Sequence, residues 1–77
     1  MNARPRGQED SAVEITLNGA KRQIPDGTTV EGLLATLPRP GVFALEADGA
    51  IVAPSDYAST VLREGSVVEI VHFTGGG

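Results

Sequence analysis

The chain has 77 residues, no cysteine, 40% hydrophobic and 21% charged residues, and a formal net charge of −4 at pH 7. That leaves room for one core, removes disulfides, thiolate metal sites and thiol nucleophiles, and gives six Lys and Arg against ten Asp and Glu, too few for a phosphate-binding surface. No run approaches the ~18 apolar residues of a membrane helix, and "MNARPRGQEDSA" carries arginines with no apolar stretch after them, so neither a membrane span nor a secretory leader is expected and the expected setting is cytoplasmic.

Residues 1–11, with Pro5, Gly7 and mixed charges, read as a flexible N-terminal extension, and residues 12–73 as the folded domain. In "VEITLNGAKRQI", Val13, Ile15 and Leu17 alternate with Glu14 and Thr16, the period of a half-buried strand. Asn18-Gly19 then supplies two positive-φ residues for a type I′ hairpin turn. Two-residue pairing sets Arg22 opposite Ile15, with its aliphatic stem over the core edge and its guanidinium in water.

The segment "PDGTTVEGLLATLPRP" predicts the one main helix, of roughly three turns. Thr28 and Glu31 have the spacing of a capping box, Val30, Leu33, Leu34 and Leu37 form a single apolar stripe, and Pro38 and Pro40 stop it. "GVFALEADGAIV" follows as a strand, a tight turn at Asp48-Gly49 and a short return strand, with Phe43, Leu45 and Ala47 on one face and Glu46 on the other. "APSDYASTVLREG" reads as a loop with a helical turn, from which Tyr57, Val61 and Leu62 drop inward before a turn at Glu64-Gly65. "SVVEIVHF" is the strongest strand. With Val68 and Ile70 toward the helix, Val67, Glu69, Val71 and Phe73 face out.

Strand, strand, helix, strand, short strand, strand is the order of an α+β, β-grasp (ubiquitin-like) domain. One helix covers one face of a mixed four- to five-stranded sheet, with the first and last strands parallel at its centre. Within it the residues of an active site are missing. His72 is the only histidine and has no cysteine to join it. Asp48, Asp56 and Glu46 lie around turns, where Asp serves local hydrogen bonding, and Ser55 and Ser59 have no base nearby in sequence. No glycine belongs to a phosphate loop. The reading is a protein that is not itself an enzyme, with no catalytic residue, metal or bound cofactor.

What remains is the end of the chain, "TGGG". Thr74 with Gly75, Gly76 and Gly77 makes a flexible, thin thread of about 13 Å at ~3.3 Å per residue. It can enter a channel that excludes any Cβ and adopt whatever backbone angles the channel demands. At its end an α-carboxylate, ionised at neutral pH, is a competent nucleophile toward the α-phosphorus of ATP.

Together with the β-grasp order, "EGSVVEIVHFTGGG" resembles the ThiS family, the sulfur carriers of thiamine biosynthesis. The likeness covers about residues 13–77, is strongest over 64–77 and includes "DGAIVAPSDYASTVL". The resemblance implies a cycle. An E1-like (ThiF-type) adenylyltransferase uses ATP to activate the Gly77 carboxylate, sulfur from a cysteine desulfurase replaces the adenylate, and the thiocarboxylate delivers sulfur to a ThiG-type thiazole synthase. Thr74, Gly75 and Gly76 would thread into the partners, and Val71, Phe73 and Glu69 would form the docking surface beside the tail. The family pattern asks only for the last two glycines, and it does not need so long an N-terminal arm. Related carriers of the molybdopterin, cysteine or protein-modifier pathways share the fold. "VHFTGGG" lacks the proline-containing approach to Gly-Gly associated with the first of these. A non-catalytic protein-interaction module is the alternative from a different class.

Overall fold

In the computed structural model of the chain, residues 11–38, 41 and 43–73 are described. The expected extension, except Ser11, and the expected tail 74–77 lie outside these residues, as does Pro40.

Strands β1 (Ala12–Leu17) and β2 (Ala20–Pro25) form the first hairpin. Asn18 and Gly19 join them at φ 50° and 86°, the two left-handed positions of a type I′ turn whose twist matches that of the flanking strands. The register puts Ile15 opposite Arg22 as expected. Arg22 is half-buried, and its guanidinium does more than face water: Nη2 donates to Thr36 Oγ1 at 3.0 Å, tying the edge strand to the end of the helix.

The helix α1 spans Val30–Leu34, five residues rather than the roughly three turns expected, and its cap sits one residue later than the spacing predicts. Thr28 is already committed to the preceding turn. Its amide and its hydroxyl both donate to the Pro25 carbonyl, at 3.1 Å and 2.6 Å, and Gly27 at φ 90° completes a type II geometry. Thr29 therefore caps, its Oγ1 accepting from Gly32 N at 3.1 Å. Glu31 then stands second in the helix instead of third, out of position to return a capping-box bond. At the other end Thr36 N and Leu37 N bond three residues back, to the Leu33 and Leu34 carbonyls. The Thr36 hydroxyl also donates to the Leu33 carbonyl at 2.7 Å, so the last turn tightens before Pro38. The apolar stripe survives this shortening, with Val30, Leu33 and Leu34 buried and Leu37 packed against them.

Strand β3 (Phe43–Ala47) turns at Asp48-Gly49, φ 55° and 88°, into the two-residue β4 (Ala50–Ile51). A 3-10 helix over Pro54–Ser59 half-buries Tyr57. The chain then passes the start of α1, where Val30 N donates to the Thr60 carbonyl and Leu62 N to the Thr28 carbonyl, each at 2.9 Å. The first of these satisfies one of the amides that a helix start leaves free. In this extended pairing, Leu62 goes inward at 1% exposure and Val61 must point the other way, at 39%, contrary to the expectation that both are buried.

Strand β5 (Val67–His72) enters the middle of a five-stranded sheet of order β2-β1-β5-β3-β4. It runs parallel to β1 and antiparallel to β3, the β-grasp arrangement. Ile15, Ile24, Val30, Leu33, Leu34, Leu45, Leu62 and Val68 form the core between sheet and helix, all on one side. The other face of the sheet carries no layer formed by the described residues, and β5 runs along its centre.

Candidate functional site

The site is built around β5 because this strand leads to Phe73 and from there to the glycines. Strict alternation sorts its side chains. Val68 is fully buried and Ile70 half-buried on the helix side, whereas Val67, Glu69, Val71 and, beyond the strand, Phe73 are exposed. The three residues expected to dock partners, Glu69, Val71 and Phe73, are all exposed, with Glu69 and Val71 on the open face of the sheet. Thr74, Gly75, Gly76 and Gly77 lie outside the described residues.

Both neighbouring strands hold β5 by more than backbone pairing. Along β1, Thr16 N donates to the Ser66 carbonyl and Asn18 N to the Val68 carbonyl, both at 2.9 Å. There β1 ends, and the next rung is made by a side chain: Asn18 Oδ1 accepts from Ile70 N at 2.8 Å. On the other side Asp48 Oδ1 accepts from Val67 N at 2.8 Å, while Asp48 N donates to the Val67 carbonyl at 2.7 Å. Sequence reasoning took Asn18 and Asp48 as turn residues only. Each is indeed the first positive-φ residue of a hairpin turn, yet each also spends its side-chain oxygen on the central strand. The start of β5 is anchored in the same manner, Glu14 N donating to Glu64 Oε1 at 3.0 Å and Gly65 N to the Glu14 carbonyl at 2.8 Å.

Where β5 ends, its helix side borders an apolar cleft of about 180 Å³ lined by Leu17, Leu34, Leu37, Phe43, Ile70 and His72. His72 lies edge-on to the Phe43 ring at 6.4 Å between centroids. No base is paired with a hydroxyl among the described residues. Ser59 Oγ donates to the Asp56 carbonyl at 3.3 Å, and the nearly buried Ser66 accepts from Arg63 N at 3.0 Å. No three histidine or carboxylate side chains among the described residues are grouped to hold a metal. The carboxylates weighed from the sequence, Asp48, Asp56 and Glu46, are not brought together. The register instead sets Glu46 directly opposite Glu69 on the open face.

The arrangement is a central strand clamped from both neighbours, with exposed Val67, Glu69 and Val71 on its open face and an apolar cleft bordering its other side. Known proteins share the fold. A crystal structure of the thiamine biosynthesis protein ThiS from Geobacter metallireducens superposes with a TM-score of 0.74 over 84% of this chain and 100% of that one, at 23% identity, a likeness of fold. Proteins described as thiazole synthase are similar in sequence: that of Magnetococcus marinus is 42% identical over 66 residues and that of Paramagnetospirillum magneticum 38% over 69. Each match covers 84% of this chain and 20% of the relative, so the chain spans about a fifth of the length of these relatives. The sequence pattern of the ThiS family matches residues 12–77, from the first residue of β1 through the final glycine, and the chain belongs to that family.

Proposed function

We propose that the protein is the sulfur carrier of thiazole formation in thiamine biosynthesis, a protein co-substrate whose catalytic groups belong to its partners. The carboxylate of Gly77 attacks the α-phosphorus of ATP in an E1-like adenylating enzyme, releasing pyrophosphate. The persulfide of a cysteine desulfurase displaces AMP to form an acyl disulfide, a thiol reductant cleaves its S–S bond, and the resulting thiocarboxylate passes sulfur to a thiazole synthase. The carrier binds no cofactor of its own, and ATP belongs to the adenylating enzyme.

The observation that carries this reading is the family match running unbroken from β1 to the last glycine, on a fold whose central strand leads to that tail. Two further points support it. The chain has no cysteine on which to hold a persulfide, so a terminal carboxyl is the group left to accept sulfur. The relatives described as thiazole synthase hold a region similar to this chain that makes up 20% of their length, which favours a thiazole synthase as the acceptor. Thr74, Gly75 and Gly76 would occupy the narrow channel of each partner, and Glu69, Val71 and Phe73 would rest on its rim.

Intact mass spectrometry tests the proposal. Incubated with the adenylating enzyme, ATP, a persulfide donor and a reducing thiol, the protein gains one sulfur in place of one oxygen, and fragmentation maps the exchange to Gly77. An unchanged mass, under conditions that load a known carrier, refutes it. A chain from its native cell that continues past Gly77 without processing does so as well.

A further inference from the structure

Both side chains that clamp the central strand belong to residues followed by glycine. Asn18-Gly19 is the one Asn-Gly pair of the chain, and glycine also follows Asp26 and Asp48. All three pairs are exposed, with their glycines at φ 86°, 90° and 88°. A glycine nitrogen can attack the side-chain carbonyl carbon of the residue before it, because no Cβ shields its approach. The leaving group separates the three pairs. An amide releases ammonia, whereas a carboxylate oxygen is a far poorer leaving group and its negative charge repels the incoming nitrogen. Asn18 is therefore the reactive member, in keeping with the lability of asparagine. Gly19 N donates no hydrogen bond among the described residues, so no contact there engages the nucleophile. The Asn18 side chain is restrained by one contact: Oδ1 accepts from Ile70 N at 2.8 Å, 52 residues along the chain.

We propose that Asn18 is a self-modification site gated by this rung. While the rung is closed, the side-chain amide is held against β5. When the end of β5 lifts, the amide is free to turn back onto its own backbone. Gly19 N gives its proton to solvent base and bonds to Asn18 Cγ; the Cγ–Nδ2 bond breaks, ammonia leaves and a cyclic succinimide closes. Water then opens the ring. Cleavage between Cγ and the nitrogen gives aspartate, and cleavage between the Asn18 carbonyl carbon and the nitrogen gives isoaspartate, with the backbone rerouted through Cβ and Cγ. Either way one water is consumed and one ammonia released. Aspartate still offers an oxygen to Ile70 N. Isoaspartate adds a methylene to the main chain and leaves its carboxylate directly on Cα, so the tight turn between Leu17 and Ala20 and the rung beyond it are both lost. A local opening of β5 is thereby recorded as a permanent release of its end. Every step uses this chain and water alone, so the proposal stands apart from the carrier reading.

The experiment incubates the full chain at neutral pH over urea concentrations below its unfolding transition. Peptide mapping follows position 18 and separates asparagine, aspartate and isoaspartate. Amide exchange of Ile70 and Leu45 is measured under the same conditions, and a peptide of the sequence of residues 17–21 gives the rate without a fold. The gate predicts conversion in the folded chain about fivefold or more slower than in the peptide, the factor that one hydrogen bond contributes. Its urea dependence should follow the Ile70 amide, which opens locally, rather than the core amide of Leu45. Asp26 and Asp48 should stay unconverted. In the purified isoaspartate product the Ile70 amide should exchange about fivefold or more faster than in the starting chain, and in the aspartate product it should not. Conversion as fast as in the peptide overturns the proposal, since nothing is then gated. So does conversion that follows the Leu45 amide, which would assign it to global unfolding, or a folded chain still intact when the peptide is consumed. An isoaspartate product whose Ile70 amide exchanges no faster than before also overturns it.

Discussion

Asn18 offers a test of whether the end of β5 is held by a side chain. Three substitutions separate its two contributions. Asn18→Asp keeps both a residue tolerant of positive φ and an oxygen for Ile70 N. Asn18→Gly keeps the turn, since φ 50° costs glycine nothing, and loses the acceptor. Asn18→Ala loses both. A single hydrogen bond of this kind contributes about 1 kcal/mol net, and a left-handed conformation costs a residue with a Cβ about 1–2 kcal/mol. The expected order of destabilisation is therefore Asp near zero, Gly about 1 kcal/mol and Ala about 2–3 kcal/mol. Urea titration reads the totals. Amide exchange locates them: in Asn18→Gly the Ile70 amide should exchange about fivefold faster or more, because 1 kcal/mol is about a factor of five in the open population, while the Val68 amide should change only with global stability. If Gly and Asp cost the same, or if the Ile70 amide in the glycine variant exchanges no faster than global stability dictates, the clamp is not what holds this strand.

Other expectations are direct. Deleting Gly77 should abolish sulfur loading in the mass assay and leave the melting temperature unchanged, since that residue has no side chain to contribute to a core; a clear fall in melting temperature would contradict this. Leu45, fully buried on β3, should cost about 2–5 kcal/mol when cut to Ala. At about 0.05–0.15 kcal/mol per residue a domain of this size has little more to give, so urea titration should show a chain partly unfolded without denaturant. Thr29→Ala should cost about 1 kcal/mol through loss of the cap on Gly32 N, and Thr29→Ser should restore most of it. Equal stability of the two variants would return the cap to Thr28.

Local pattern made most of the fold legible. Asn18-Gly19 and Asp48-Gly49 specify their turns because few residue pairs accept two positive φ angles in succession. The alternation in "VVEIVH" separates the face toward the helix from the face toward solvent. The parallel contact of β1 with β5 is permitted by the pattern but not fixed by it, and the pairing of the two strands in the sheet settles it. Misreadings arose where one residue had two competing uses. Thr28 had the spacing of a cap but was taken by the Pro25 turn, and that one-residue shift also moved Glu31 away from its assigned role. Val61 was read by its apolarity alone. Its extended pairing with Thr29, 32 residues earlier, decides which way it points. The exposed residues of β5 follow from alternation, but the acidic residue opposite Glu69 does not. That Glu46 opposes Glu69 depends on the register of β3 against β5, which the intervening loops set.

The distribution of favourable and unfavourable features over this domain bears on its function. One side of the sheet buries eight apolar residues with the helix. The other exposes Ile51, Val67, Val71 and Phe73, and the strand beneath it is secured from its edges, by Asn18 on one neighbour and Asp48 on the other. Both clamps bond backbone groups in the plane of the sheet and so leave its open face uncovered. The carrier role proposed above calls for this separation, with rigidity supplied in the plane of the sheet and recognition left to its open surface.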